Sequence, residues 1–98
     1  MKKDERDIEK WLTKRIRILG GKSYKWTSPG NVGVPDRIYI LPKGLVCFAE
    51  LKTDTGQLSE AQKYQIRQLR ERGAWVEVVR GMEEAKELIR KMEGRLAE

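Results

Sequence analysis

Residues 36–52 read DRIYILPKGLVCFAELK. Two runs of β-branched and aromatic residues, Asp36 to Leu41 and Leu45 to Lys52, flank Pro42-Lys43-Gly44. A connection this short predicts a hairpin. Upstream, Lys22 to Thr27 (KSYKWT) reads as a further strand, followed by a loop through Ser28-Pro29-Gly30-Asn31 and Gly33. Before it, Ile8, Trp11, Leu12, Ile16 and Leu19 recur three or four apart, the spacing of an amphipathic helix over about Asp4 to Leu19. Gly20-Gly21 supplies a left-handed stop. Downstream, the loop Thr53 to Leu58 leads to Ser59, an N-cap with Gln62 three positions on, and to a helix over Glu60 to Arg72 closed by Gly73. Trp75 to Val79 (WVEVV) is a strand, and a last helix after Gly81 carries Met82, Ala85, Leu88, Ile89 and Met92. The order α-β-β-β-α-β-α describes one α/β domain over residues 1–98, a mixed sheet flanked by helices and closed by a βαβ-like crossover.

Composition narrows the chemistry. The chain has no histidine, which excludes His-type zinc hydrolases, Ser-His-Asp triads and histidine general bases together. Its single cysteine, Cys47, has neither a disulfide partner nor a zinc partner, and strand alternation turns it away from Glu50 into the core. No apolar run nears the length that spans a bilayer, and the first residues (MKKDER) precede no apolar signal core, so a cytoplasmic place is expected. Lys and Arg outnumber Asp and Glu by 21 to 15, a net charge of +6 that suits a polyanionic partner. The excess is concentrated toward the N-terminal half.

Glu50 and Lys52 stand two apart, so the strand period points both to one face. A hairpin brings Asp36, at the start of the preceding strand, beside Glu50. Two carboxylates so placed can share a hard divalent cation, with waters and a substrate phosphate completing its octahedron. Such an ion polarises the phosphate and acidifies a bound water, and an ammonium alongside can orient that water. A Glu-x-Lys pair on a strand is ordinarily a solvated face. Here Val46, Cys47, Phe48, Ala49 and Leu51 surround the pair, and a strand buried on both faces has little use for charges that serve no site.

These residues carry a resemblance. Gly33-Val34-Pro35-Asp36, then Phe48-Ala49-Glu50-Leu51-Lys52, then Gly56, Leu58-Ser59 and Gln62 resemble the stand-alone VRR-NUC (virus-type replication-repair nuclease) domains of the PD-(D/E)xK superfamily. The likeness runs from the first helix and Gly20-Gly21 through Tyr24-Lys25 to Gly73 and the strand beyond. It implies a restriction-endonuclease-like core and Mg²⁺- or Mn²⁺-dependent cleavage of DNA, leaving a 5′-phosphate and a 3′-hydroxyl. The family's small phage and bacterial members are similar to Holliday-junction resolvases. By this resemblance Asp36 and Glu50 are metal ligands, the Leu51 carbonyl a further ligand, and Lys52 the water-orienting base. A glutamate of the first helix completes such sites; Glu5 and Glu9 are both available, and Glu5 lies angularly closer to the buried stripe.

Gln62 matches a glutamine common in the family's corresponding helix, yet it also occupies the third position of a Ser-x-x-Gln capping box, and both duties stay open. Ile66 stands where the related exonucleases carry a tyrosine, which favours endonuclease behaviour. Trp11 suits the core or an interface. Tyr24, Lys25 and Trp26 interleave aromatic and basic groups, fitting either DNA contact or a half-buried strand. Thr53, Thr55 and nearby amides can meet a phosphate backbone. The expected partners are branched or junction DNA and, for a substrate with symmetric strands, a second copy in a homodimer. The alternative is a non-catalytic DNA-binding module with the nuclease fold, against which the acidic pair counts. A purely structural partner-binding domain would leave the buried charges unexplained.

Overall fold

The computed structural model describes residues 4–98; residues 1–3, with Lys2 and Lys3 of the basic N-terminal segment, lie outside the described residues. Helix α1 (Glu5–Ile18) begins at a reciprocal cap, in which the Asp4 carboxylate accepts from Asp7 N at 2.9 Å and the Asp7 carboxylate accepts from Asp4 N. It ends as its glycines demand. Gly20 takes φ +88°, Gly20 N donates to Arg17 O and Gly21 N to Ile16 O, a paired closure that satisfies the last carbonyls.

Strands β1 (Lys22–Lys25), β2 (Arg37–Ile40) and β3 (Val46–Lys52) form an antiparallel meander, and β4 (Trp75–Arg80) adds parallel to β3 after α2 (Glu60–Glu71). Helix α3 (Gly81–Leu96) follows directly. The spatial order β1-β2-β3-β4 is therefore the chain order, and the mixed sheet with its crossover agrees with the reading from sequence. The boundaries differ by a residue or two. Strand β1 stops at Lys25 because the chain leaves the sheet after Trp26, whose N–H still donates to Asp36 O at 2.8 Å. Asp36 stands just outside β2, its side chain doing the work of a strand neighbour. The hairpin connection is a single 3₁₀ turn over Pro42–Gly44, with Lys43 in the left-handed region at φ +66°.

Alternation sorts β3 cleanly. Cys47, Ala49 and Leu51 meet Ile8, Leu12 and Ile16 of α1, Tyr39 of β2, and Ala85, Leu88, Ile89 and Met92 of α3 in one buried cluster. Cys47 is fully buried there, and burial pushes its thiol pKa far up, so it is an unreactive core group. The opposite face is covered over β4 by α2, through Ile66, and tied there by Arg70, whose guanidinium donates twice to Val76 O. Strand β3 is thus not enclosed on both faces along its whole length. Val46 is exposed and Phe48 half-buried, whereas Glu50 is buried.

The loop between β1 and β2 reaches the first turn of α2. A Cβ at Gly33 would lie 2.5 Å from the Ala61 carbonyl carbon and 2.8 Å from Gln62 N, and its φ of +94° disfavours any side chain. Gly33→Ala should therefore cost at least about 2 kcal/mol, combining backbone strain with overpacking against main chain. Gly30→Ala, in open space on the same loop, should be near neutral. Thermal unfolding of the two variants side by side checks this, and equal melting temperatures would refute the close approach.

Candidate active site

The antiparallel register pairs Arg37 with Ala49, which sets Asp36 across from Glu50 at the end of the hairpin. Asp36 Oδ2 accepts from Leu51 N at 3.0 Å. In a strand the N–H and C=O of one residue point the same way, so the Leu51 carbonyl is aimed toward the same edge. Glu50 is 1% exposed. Its Oε2 accepts from Gln62 Nε2 at 2.9 Å and lies 3.6 Å from Lys52 Nζ, while its Oε1 is buried without a hydrogen-bond partner. Burial, and then repulsion from Asp36, push the Glu50 carboxyl up to about 7, against the opposing pull of Lys52.

Gln62 caps its helix and also reaches the Glu50 carboxylate. Its Oε1 accepts from Ser59 N at 2.9 Å while Ser59 Oγ accepts from Gln62 N, completing the capping box. The other end of the same amide holds Glu50. The α2 cap thereby fixes the amide's orientation toward the carboxylate.

Lys52 is held from the other side. A Cβ at Gly56 would press on Lys52 Cβ at 3.0 Å, so the bare glycine lets the 53–58 loop lie close against that side chain. Arg80, opposite Lys52 in the register, donates from Nε to Gly56 O at 3.0 Å and anchors the loop.

The two glutamates of α1 separate. Glu9 is directed to Arg37, with Oε2 3.8 Å from a guanidinium nitrogen. The same guanidinium donates to Ser23 Oγ at 2.6 and 3.2 Å, and Thr13 Oγ1 donates to Ser23 Oγ at 3.3 Å. Glu5 faces the site electrostatically. Against the angular expectation, Glu5 is exposed and Glu9 half-buried, because Glu5 stands in the open first turn of α1. Desolvation still raises the Glu5 carboxyl pKa, the Asp36 charge raises it further, and Lys52 opposes both. Sequence reasoning did not find the Arg37 network. The signal was present, since Arg37 and Tyr39 alternate onto the core face, where a charge needs partners.

Among the described residues, no group of three or more acidic, cysteine or histidine side chains is arranged to hold an ion by itself. Glu5 therefore stands within electrostatic reach of Asp36 and Lys52 without closing a three-carboxylate cage. Two carboxylates, one of them with a buried oxygen that has no partner, and a strand carbonyl nonetheless form an all-oxygen donor set that fits Mg²⁺ or Mn²⁺ completed by water or phosphate.

A small mixed sheet with an Asp across from a Glu-x-Lys strand defines a domain with the PD-(D/E)xK nuclease core. Residues 5–83 match the family described as the VRR-NUC domain, and the chain belongs to that family. A solved structure titled "VRR_NUC domain" superposes with a TM-score of 0.81 at 30% identity, covering 88% of this chain and 94% of the other. A second, "VRR_NUC domain protein", gives 0.70 at 17% identity over 92% and 88%, a likeness of fold. A protein of Acyrthosiphon pisum secondary endosymbiont phage 1, named "Putative nuclease p44", is 50% identical over 48 residues, 49% of this chain and 52% of its own length. The chain thus spans about half of that relative.

The raised Glu50 carboxyl has a stability consequence. The folded state holds this proton more tightly than the unfolded chain, whose value is near 4.5. The resulting stabilisation is complete below 4.5 and is lost as pH rises through about 7. In metal-free buffer Glu50→Gln should therefore match the wild type near pH 4 and melt several degrees higher at pH 8, given about 4–8 °C per kcal/mol in a domain this size. A parallel pair of melting curves across this range would contradict the assignment.

Proposed function

We propose that the chain is a metal-dependent endonuclease hydrolysing phosphodiester bonds in structured DNA, with branched or Holliday-type junctions as substrate. The supporting observation is the buried Glu50, with Oε2 engaged by Gln62 and Lys52 and Oε1 left without a partner beside Asp36. A structural carboxylate would have both oxygens satisfied. Asp36, Glu50 and the Leu51 carbonyl would hold Mg²⁺ or Mn²⁺, with Glu5 reaching in from α1 through water or by side-chain rotation. The bound ion would supply Lewis-acid polarisation of the phosphate and a water of lowered pKa.

The chain's own groups do the rest. Lys52 Nζ, drawn toward the Glu50 carboxylate, orients the attacking water and stabilises charge growing on the phosphoryl oxygens. Gln62 keeps Glu50 from turning away from the ligand position. The net charge of +6 offsets the cost of bringing phosphates to an acidic centre. A homodimer would set one site on each of two opposed strands of a junction.

Labelled junctions, flaps and linear duplexes incubated with and without Mg²⁺ or Mn²⁺ test the reading. Asp36→Asn, Glu50→Gln and Lys52→Ala should each lower cleavage at least about a hundredfold while DNA binding persists. Near wild-type turnover in any of them would overturn the site.

Glu5→Gln should weaken activity across a Mn²⁺ titration more than Glu9→Gln, because Glu9 is committed to Arg37. The reverse order would exchange their roles.

A further inference from the structure

The sheet face that carries Glu50 continues away from it as an uncovered apolar surface. By the register, one row across this face is Lys22, Ile40 and Val46, and the next is Tyr24, Ile38 and Phe48. The third row is Trp26, Asp36 and Glu50. Tyr24 is 47% exposed, Ile40 38% and Val46 36%. A solvated sheet face ordinarily alternates to polar residues, and here Lys22 is the sole charge in the first two rows. Helix α2 rests on β4 and leaves β1, β2 and the start of β3 open.

Size decides what fits. Three strands about 4.8 Å apart and four residues at about 3.4 Å give a plan area on the order of 150 Å². A stable protein partner needs about 800 Å² on each side, so this patch is several-fold too small to hold a second copy alone. It is the right size for two or three nucleobases. Its chemistry agrees. Trp26 and Phe48 are already an aromatic pair at 5.2 Å, and Lys22 Nζ lies 5.8 Å from the centre of the Tyr24 ring, a cation beside a stacking surface.

We infer that this face is a stacking platform for unpaired nucleotides, with Tyr24 and Trp26 receiving bases that flank the phosphate held at Asp36 and Glu50. The inference rests on the nuclease reading for the position of that phosphate. It makes the aromatic strand a determinant of substrate class: a continuous duplex keeps its bases stacked on one another, whereas a branch point or flap offers free ones.

Binding in EDTA separates this from catalysis. Anisotropy with labelled oligothymidine and with a blunt duplex of equal length is measured for the wild type, Tyr24→Leu and Tyr24→Phe. Stacking on one residue is worth about 1–3 kcal/mol, so Tyr24→Leu should bind oligothymidine at least about fivefold more weakly. Its duplex binding should stay unchanged, and Tyr24→Phe should behave as wild type. No loss in Tyr24→Leu, or equal losses on both probes, overturns the platform. So does a change in sedimentation mass without a change in oligothymidine binding, which would give the face to a second copy. If the Tyr24 dependence holds while the wild type cuts nothing with Mg²⁺ or Mn²⁺, the nuclease reading fails and the platform stands. Cleavage of junctions without that dependence fails the platform alone.

Discussion

A carboxylate enclosed in the middle of a sheet is the constraint around which this molecule is arranged. Burying Glu50 is unfavourable unless its charge is answered, and the answer comes from two directions while a third opposes it. Lys52 follows it on the same strand, Gln62 reaches it from α2, and Asp36 adds a second negative charge across the hairpin. The last of these makes matters worse, not better. A fold that gathers a like charge beside a buried carboxylate, while leaving one of its oxygens without a donor, is complementary to something positive.

Much of the remaining structure keeps those groups in register. The Gly33 approach seats the β1–β2 loop against the α2 N-terminus, so the segment that delivers Asp36 and the helix that delivers Gln62 are in contact. Arg80 secures the loop that packs on Lys52. On the far face, Arg37 joins α1 to β1 through Glu9 and Ser23, one residue along from Asp36. The rotation of α1 itself follows from Ile8, Leu12 and Ile16 in the core, which leaves Glu5 on the side of the site.

What could be read from the sequence was what depends on local period and on chain stops. The β2–β3 hairpin, the shared face of Glu50 and Lys52, the inward Cys47 and the helix ends at Gly20 and Gly73 all follow from spacing and backbone freedom. Gln62 was legible as a cap, and its second hydrogen bond was not, because that requires knowing how α2 crosses the sheet. The exact start of β2 was hidden for a related reason. Asp36 uses a side-chain oxygen to meet the Leu51 amide, which makes it resemble a strand residue while standing outside the strand. The open face beside the site also depends on where α2 lands, and no pattern within β3 alone distinguishes a face covered along its whole length from one covered over half.

The sheet's two margins bear on how copies of this chain can meet. Strand β1 is four residues long and begins and ends with lysine, so a neighbouring chain adding to that margin would align cations against its own backbone. At the other margin, Arg70 already occupies the Val76 carbonyl with two donors. Both borders thus resist extension into a continuous intermolecular sheet. A second copy of the chain is therefore met more readily through helices or a sheet face than by strand addition, even though one face of the sheet is only partly covered.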